Sequence, residues 1–204
     1  AFYMLPTAKS PHGCDVDPTG EYIVGSGKLA ATMTIHSFSK MKQAIADKDF
    51  DGSTYGIPIL NFKSVNYGVL KQPGLGPLHT EFDSRGNAYT TFFISSEVVK
   101  WNIKDLTVLD RNPVYYSVGH LMIPGGNSRT PDDKYLVAMN KITKDRYLPT
   151  GPEVCQSAQL FDISGEKLEL LLDFPTIGEP HYAAGIAADK IASKSKKIYR
   201  LEEN

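Results

Sequence analysis

The chain has 204 residues, of which 41% are hydrophobic and 22% charged, and its formal net charge is −1. This size and composition suit a globular domain with a sizeable core. They give no general attraction to nucleic acid or membrane, and no apolar run approaches the roughly 20 residues that span a bilayer. Because the sequence begins Ala1-Phe2-Tyr3-Met4 and stops soon after a basic stretch, we expect it to be part of a longer protein.

The first unit of the chain opens with a turn and continues with two strands. Asp17-Pro18-Thr19-Gly20 has turn chemistry, since proline presets the second turn position and glycine tolerates positive φ. Residues 22–24 have strand composition, and residues 32–38 alternate polar and apolar side chains. We therefore predict two adjacent strands after the turn.

A helix and a long loop are predicted before the second unit. Residues 39–48 have helix-permitting composition, with Ser39 as the candidate N-cap. Residues 50–67 are rich in Gly, Asn, Ser and Pro, which predicts a long surface excursion. The strands predicted in the later units are 88–94, 97–103, 135–140, 159–163 and 168–173.

The repetition of these units predicts the fold. Asp-x-x-Gly or Pro-Asp-Asp turns recur ahead of short strands at intervals of roughly 40–60 residues, which is typical of a β-propeller. We predict an all-β fold, a partial β-propeller of about three to four blades. A β-sandwich also has many short strands, but it would not place a histidine at the same phase of successive repeats.

Four of the five histidines share one phase of the repeats: His12, His79, His120 and His181. We expect each to lie in the loop before the first strand of its unit, and such loops converge at one end of a propeller axis. Imidazoles without carboxylates or paired thiolates favour copper or zinc. His36 lies mid-strand and out of phase, so we expect a packed or surface histidine.

Three further side chains were weighed for chemistry. Lys141 follows the predicted strand 135–140, and a cation there could donate hydrogen bonds to a ligand at a metal, although a salt bridge is the plainer interpretation. Cys14 and Cys155 are too few for a disulfide framework, so we expect two free, mostly buried thiols, with one bridge as the alternative.

Other function classes have less support in the sequence. It contains no Gly-x-Ser-x-Gly motif, P-loop or dinucleotide fingerprint. A propeller hydrolase with one metal, such as a lactonase, would need carboxylate and asparagine ligands on the axis. A propeller that serves as a metal-free binding scaffold remains the alternative.

A set of short motifs, in order along nearly the whole chain, resembles nitrous-oxide reductase, and within that family the branch often called atypical or clade II. The motifs are Ser10-Pro11-His12-Gly13-Cys14-Asp15, Gly76-Pro77-Leu78-His79-Thr80, Gly86-Asn87-Ala88-Tyr89-Thr90-Thr91, Val98-Val99-Lys100-Trp101-Asn102-Ile103, Asn140-Lys141 with Lys144-Asp145-Arg146, Asp162-Ile163-Ser164-Gly165 and Glu179-Pro180-His181. The resemblance implies an N-terminal seven-bladed propeller, which holds the four-copper, sulfide-bridged CuZ centre on seven histidines. It also implies a C-terminal cupredoxin domain with the CuA centre. Residues 1–204 then form part of the propeller domain, and the cupredoxin domain is absent from this sequence.

The resemblance also implies roles for single residues. His12, His79, His120 and His181 match four CuZ ligands, and the other three ligands belong upstream. Lys141 matches a catalytic lysine at the open edge of CuZ.

Departures from the better-studied branch bear on the site. The resemblance implies calcium as a further cofactor, but Ser10 replaces an asparagine that belongs to the calcium site in that branch. A second histidine of the third motif becomes Met122, and Tyr182 stands where aspartate is usual. Gln156 replaces a glutamate near the site, and an amide cannot titrate.

The implied activity is the two-electron, two-proton reduction of N₂O to N₂ and water in denitrification. The resemblance implies a periplasmic homodimer in which one subunit's CuA serves the other's CuZ. A c-type cytochrome or another periplasmic carrier would donate the electrons. With four of seven ligands and no electron-entry domain, the 204-residue segment alone is expected to be inactive.

Overall fold

The computed structural model of the chain describes residues 1–141, 156–186 and 191. The strands are β1 (Pro11–Val16), β2 (Tyr22–Gly27), β3 (Thr32–Ser37), β4 (Phe50–Thr54), β5 (Ile57–Leu60), β6 (Asn66–Lys71), β7 (Pro77–Phe82), β8 (Asn87–Phe92), β9 (Glu97–Asn102), β10 (Thr107–Pro113), β11 (Val118–Met122), β12 (Tyr135–Asn140), β13 (Ser157–Asp162) and β14 (Glu169–Pro175). The helices are α1 (Phe38–Asp47) and α2 (Phe62–Val65). Within the described ranges, neither helix has the length and apolar character that crossing a membrane requires.

Three four-stranded antiparallel sheets make up most of this structure. Their strand orders are β1-β2-β3-β6, β7-β8-β9-β10 and β11-β12-β13-β14. We call them blades 1, 2 and 3. Each blade is a meander in which neighbouring strands follow one another in sequence, apart from an insertion between β3 and β6. The predicted partial β-propeller is confirmed, and all the predicted strands are present with ends displaced by a few residues.

The innermost strands carry the histidines, which corrects the prediction that the histidines lie in loops. Strand β7 contacts both β1 and β11, so these three first strands lie side by side along the axis. His12 belongs to β1, His79 to β7 and His120 to β11. Segments such as Pro-His-Gly-Cys-Asp-Val contain few β-formers, so composition alone does not identify them as strands.

The core lies between adjacent blades. Tyr89 and Trp101 of blade 2 are fully buried, on the blade 3 and blade 1 sides respectively. The indole Nε1 of Trp101 donates to Thr90 Oγ1 at 2.9 Å, so the ring is buried with its one polar group satisfied. A blade cannot bury both faces alone, and these contacts hold the three inner strands at fixed positions.

The insertion between β3 and β6 is ordered, which corrects the predicted surface excursion. It contains α1, the hairpin β4–β5 and α2, which pack around Ala44, Leu60 and Val65. The N-cap of α1 is Ser37, whose hydroxyl accepts from the Lys40 N–H at 3.1 Å. The predicted cap, Ser39, already lies inside the helix because strand β3 runs directly into α1.

Candidate metal centre

Four imidazole rings lie together at one end of the inner strands. The ring centroids of His12 and His79 are 4.9 Å apart, and those of His79 and His120 are 3.6 Å apart in a stacked arrangement. The ring of His181 lies 5.2 Å from that of His120. Residues far apart in sequence, from three successive blades and the segment after β14, therefore form one cluster, which we call the imidazole cluster.

A β-bulge places the histidine in each inner strand. In blade 1, Pro11 pairs with Gly27 and Cys14 with Gly25, so His12 and Gly13 face a single residue. The same shift places Leu78 and His79 in the bulge of β7, and Gly119 and His120 in that of β11. A bulge bends the strand and re-aims its side chain, which lets an inner-strand residue turn toward the cluster.

Close contacts between blades fix the bulges against one another. Gly13 has φ of +80°, and a Cβ there would lie 2.2 Å from the Leu78 carbonyl oxygen, so only glycine suits this approach of β1 to β7. Asp15 Oδ2 accepts from the Thr80 N–H at 2.7 Å across the same boundary. The backbone on both sides of His79 is therefore held by blade 1.

His181 reaches the cluster from the segment that follows β14. Its Nδ1 lies 3.1 Å from Glu179 Oε1, and the adjacent Tyr182 ring makes an edge contact with His120 at 5.3 Å. Farther along, Gly185 packs against Met122 and Pro124. These contacts lay the segment over the end of β11. Two of its anchors, Met122 and Tyr182, are residues at which the sequence departs from the better-studied branch.

Lys141 lies beside the imidazole cluster. It follows the last residue of β12, and its aliphatic chain lies over Gly119. A Cβ at position 119 would be 2.7 Å from Lys141 Cδ and 3.0 Å from Cε, so the bare Cα of Gly119 makes room for the side chain. The Lys141 charge acts on His12, His79 and His120.

The electrostatic environment favours the neutral form of the His12, His79 and His120 imidazoles. Burial lowers the pKa of His79 to about 3, with added effects of His120, His12 and Lys141. Burial, followed by the charges of His181 and Lys141, lowers the pKa of His120 to about 4. The pKa of His12 is also lowered, first by burial and then by Lys28 and Lys141. Neutral imidazole is the form that binds a metal ion.

The donor set fits a metal that prefers imidazole nitrogen. His79 Nε2 is buried and has no hydrogen-bond partner within the part of the chain that the structure describes. A buried nitrogen of this kind calls for an explanation, and coordination is one. The rings of His79 and His120 are stacked at 18°, and no three His, Cys, Asp or Glu side chains of residues 1–141, 156–186 and 191 are arranged around a common point for one ion.

Sequence reasoning missed a second cation near the cluster. The main-chain N–H of Lys28 donates to the carbonyl of Ser10, two residues before His12, at 2.9 Å. The Lys28 charge also acts on His12. Its ammonium group lies 4.6 Å from the centroid of the Phe93 ring, a cation–π contact between blades 1 and 2. A lysine in a turn carries no pattern that would have indicated this position.

Two carboxyl groups, Asp15, which is half-buried, and Glu81, which is buried, were missed as well. Burial raises the pKa of Asp15 to about 7, and burial together with the charge of Asp15 raises that of Glu81 to about 8. Glu81 lies two residues after His79 on β7 and is only 6% exposed. The alternation of β7 could have placed Glu81 on the same face as His79, had this segment been recognised as a strand.

His36 lies apart from the imidazole cluster. His36 is buried in β3 against the Phe62 ring, as expected of a packed histidine. Cys14 is exposed, which corrects the expected burial, because side chains of a strand alternate between two faces and Cys14 points opposite to Asp15, which contacts blade 2. Cys155 and the Lys144-Asp145-Arg146 motif lie outside the described residues.

Gln156 accepts the Thr176 N–H through its main-chain carbonyl. The calcium prediction attached to Ser10 stays a prediction.

Comparison with known proteins points to one family. Residues 111–181 match the family model described as the nitrous oxide reductase propeller repeat. The chain is 39% identical over 207 residues to the nitrous-oxide reductase of Stutzerimonas stutzeri, covering 96% of this chain and 30% of that protein. It is also 39% identical to that of Ralstonia nicotianae, covering 100% of this chain and 31% of that protein.

A solved structure supports the fold alone. A chain in the crystal structure of the mitotic checkpoint complex superposes with a TM-score of 0.56 at 10% identity, covering 85% of this chain and 42% of that chain.

The segments of the chain that match known proteins can be located on the blades. The chain spans about 30% of the length of the curated relatives that it matches. The matched repeat runs from β10 through blade 3 to His181, the part of the chain in which two of the four clustered histidines lie. The relatives align over nearly all of the chain, including blades 1 and 2. This chain therefore belongs to the nitrous-oxide reductase family, and its residues 111–181 match that family's propeller repeat.

Proposed function

We propose that the chain is part of a nitrous-oxide reductase and that His12, His79, His120 and His181 hold copper ions of its CuZ centre. One observation carries this proposal. Imidazoles from three successive blades and the following segment lie side by side, each ring centroid within 5.2 Å of the next, with Lys141 beside them. When bound, the copper–sulfide cluster supplies the two electrons that reduction of N₂O to N₂ and water consumes.

The inner strands contribute pre-formed, neutral ligands. Because the pKa values of His79 and His120 are lowered to about 3 and about 4, both rings are unprotonated at neutral pH. The bulges fix the ring positions before any metal arrives, which limits the conformational cost of binding.

Lys141 acts on the substrate side of the cluster in this proposal. Its ammonium group can donate a hydrogen bond to the oxygen of N₂O, where negative charge develops as the N–O bond breaks. Donation from a charged group is about twice as strong as from a neutral one. Gly119 allows the side chain to lie flat against β11 and to extend toward the rings.

The remaining properties follow from the family and belong to the proposal. The whole protein would act in the periplasm as a homodimer, with electrons from a c-type cytochrome or another carrier entering at CuA in a cupredoxin domain. Three more histidines from other blades would complete the CuZ ligand set.

A metal-free binding scaffold is the second candidate. The stacking of His79 on His120 favours it, because stacked rings are also a stable packing arrangement without metal. The two candidates differ in copper content and in redox activity.

The test uses the full-length protein, with copper per chain and N₂O reduction by an artificial electron donor as its readouts. We expect His79→Ala to lose bound copper and to lower turnover by more than about 100-fold, because changes outside the ligand shell alone cost roughly 10–100-fold. Lys141→Ala should keep the copper and lower turnover by about 10-fold or more.

His36→Leu is the matched control, since it removes another buried imidazole outside the cluster. It should retain copper and turnover. A wild-type protein that binds no copper would contradict the redox proposal in favour of the scaffold. A Lys141→Ala variant with full copper and undiminished turnover would contradict the role of Lys141.

A further inference from the structure

Thr91 joins two of the histidine-bearing bulges. It lies in β8 opposite Leu78 and His79, the bulge of blade 2, and its side chain is fully buried. Its hydroxyl donates to the Gly119 carbonyl oxygen at 2.6 Å. Gly119 belongs to the bulge of β11 in blade 3, so this hydrogen bond crosses the boundary between blades directly behind the imidazole cluster.

The bond controls the position of His120. The Gly119 carbonyl belongs to the peptide group that joins Gly119 to His120, and a peptide group is planar. Fixing this carbonyl therefore fixes the peptide plane, which contains the His120 Cα from which the ring extends. A bulge disrupts the regular ladder of hydrogen bonds, so an outside donor has more influence there than in a regular strand. The ring held in this way is the one that stacks on His79 at 3.6 Å.

The same peptide group supports Lys141. The side chain of Lys141 lies on the bare Cα of Gly119, where a Cβ would be 2.7 Å from its Cδ. A displacement of Gly119 would move the surface beneath Lys141 together with the peptide group that carries the His120 Cα. One buried hydroxyl thus connects the bulge of His79 to the glycine that precedes His120 and supports Lys141.

We propose that Thr91 is a positioning residue of the imidazole cluster, which holds the His120 bulge and Lys141 in register with His79 through its bond to Gly119. This inference rests on the proposed function for its consequence in turnover. Its geometric part concerns only the spacing of the rings and does not depend on copper.

The test compares Thr91→Val and Thr91→Ser in the full-length enzyme. Valine has nearly the shape of threonine but leaves the Gly119 carbonyl without its donor, whereas serine keeps the hydroxyl. We expect Thr91→Val to shift the visible absorption of the bound copper and to lower kcat by about 10-fold, with the KM for N₂O changed by less than about twofold. Thr91→Ser should restore the absorption and turnover to near those of the wild type.

Thr34→Val is the matched control for a simple loss of stability. Thr34 also donates from a buried hydroxyl to a glycine carbonyl, that of Gly25 at 3.2 Å, but within blade 1. The Thr34→Val variant should lower the melting temperature as Thr91→Val does, but it should leave the visible absorption of the bound copper and the turnover unchanged. The inference is overturned if Thr91→Val keeps the wild-type absorption and kcat, if serine does not rescue, or if Thr34→Val has the same effects.

A crystal structure of the Thr91→Val protein separates this inference from the proposed function. If the wild type proves to bind no copper, the proposed function fails, but the ring spacing can still be measured. We expect the His79 and His120 rings to move apart from their 3.6 Å stacking distance. Unchanged rings and an unmoved Lys141 would overturn the inference on geometry alone.

Discussion

His36 differs from the other histidines in having no neighbouring imidazole. It is 1% exposed, and both ring nitrogens lack a hydrogen-bond partner within the described residues. Its closest aromatic contact is an edge-on approach to Phe62 of the insertion, at 5.9 Å between centroids. Burial lowers its pKa to about 4, because nothing near the ring compensates the loss of water around a charged imidazolium.

This shift predicts a pH dependence of stability. The unfolded chain protonates His36 near its ordinary pKa of about 6.5, whereas the folded chain does so only near pH 4. The stabilisation is therefore complete above about pH 6.5 and is lost as the pH falls toward 4. We expect His36 to account for a loss of about 2 kcal/mol in the free energy of unfolding between about pH 7.5 and about pH 5, measured by denaturant titration.

The comparison with His36→Leu isolates this effect. His79 and His120 have lowered pKa values and act in the same direction, while the raised pKa values of Asp15 and Glu81 act in the opposite direction. These contributions cancel when the pH dependence of the variant is subtracted from that of the wild type. Identical pH dependence in the two proteins would show that His36 does not titrate differently on folding.

Sequence reasoning identified the clustered residues better than it identified their surroundings. The phase of His12, His79 and His120 relative to the following turns was enough to predict that they meet. The bulges that aim them were not predictable, because a bulge depends on pairing with the next strand and not on composition. Lys28 and Thr91 were missed for the same reason, since their partners lie in another strand or blade.

At the level of elements, the turn between β7 and β8 ties blade 2 to blade 3. Asp83 is 1% exposed and accepts from Arg85 N and Nε, Asn87 N and Nδ2 and the Tyr89 hydroxyl, at 2.8 to 3.0 Å. Arg85, held by this carboxylate, donates at 2.6 Å to the Ser164 and Ile163 carbonyls of blade 3. The turn therefore orders both its own loop and the blade boundary.

We expect Asp83→Asn to destabilise the protein by about 3 kcal/mol. The amide would turn a donor toward groups that are themselves donors and would leave the Arg85 charge, now 2.8 Å from Asp83, without its partner. For a protein of this size the change corresponds to a fall in melting temperature of roughly 6–12 °C, which calorimetry can measure.

The exposed ion pair of the same blade provides the control. Arg111 lies 3.3 Å from Glu97, and its side chain is 50% exposed, so Arg111→Gln should cost less than about 1 kcal/mol. Equal effects of the two substitutions would mean that the Asp83 network contributes no more than a surface ion pair.

Turns of this kind were predictable because they depend on local chemistry. Asp17 accepts from the main-chain N–H groups of Thr19 and Tyr22 in blade 1, and Asp83 accepts from those of Arg85 and Asn87 in blade 2. The Asp-x-x-Gly pattern predicts both turns. The insertion between β3 and β6 was not predictable, because its hairpin and short helix are stabilised by packing around Leu60 and Val65. Propensity within residues 50–67 is weak, and tertiary contacts decide their structure.

At the scale of the whole molecule, the propeller turns distant sequence positions into neighbours. Each blade repeats the same meander, so equivalent positions of successive inner strands meet at one end of the axis. Periodicity in the sequence is therefore enough to predict both the fold and the meeting point. What it cannot predict is the geometry at that point, where His79 and His120 stack and Lys141 lies over Gly119.

The measurement that tests this account most directly is anomalous X-ray scattering at the copper edge from crystals of the full-length protein. We predict copper peaks within about 2 Å of ring nitrogens of His12, His79, His120 and His181, with the Lys141 ammonium facing the same cluster. Copper that is absent from these rings, or bound only elsewhere in the protein, would contradict the claim that the inner strands of this propeller are built to hold a metal centre.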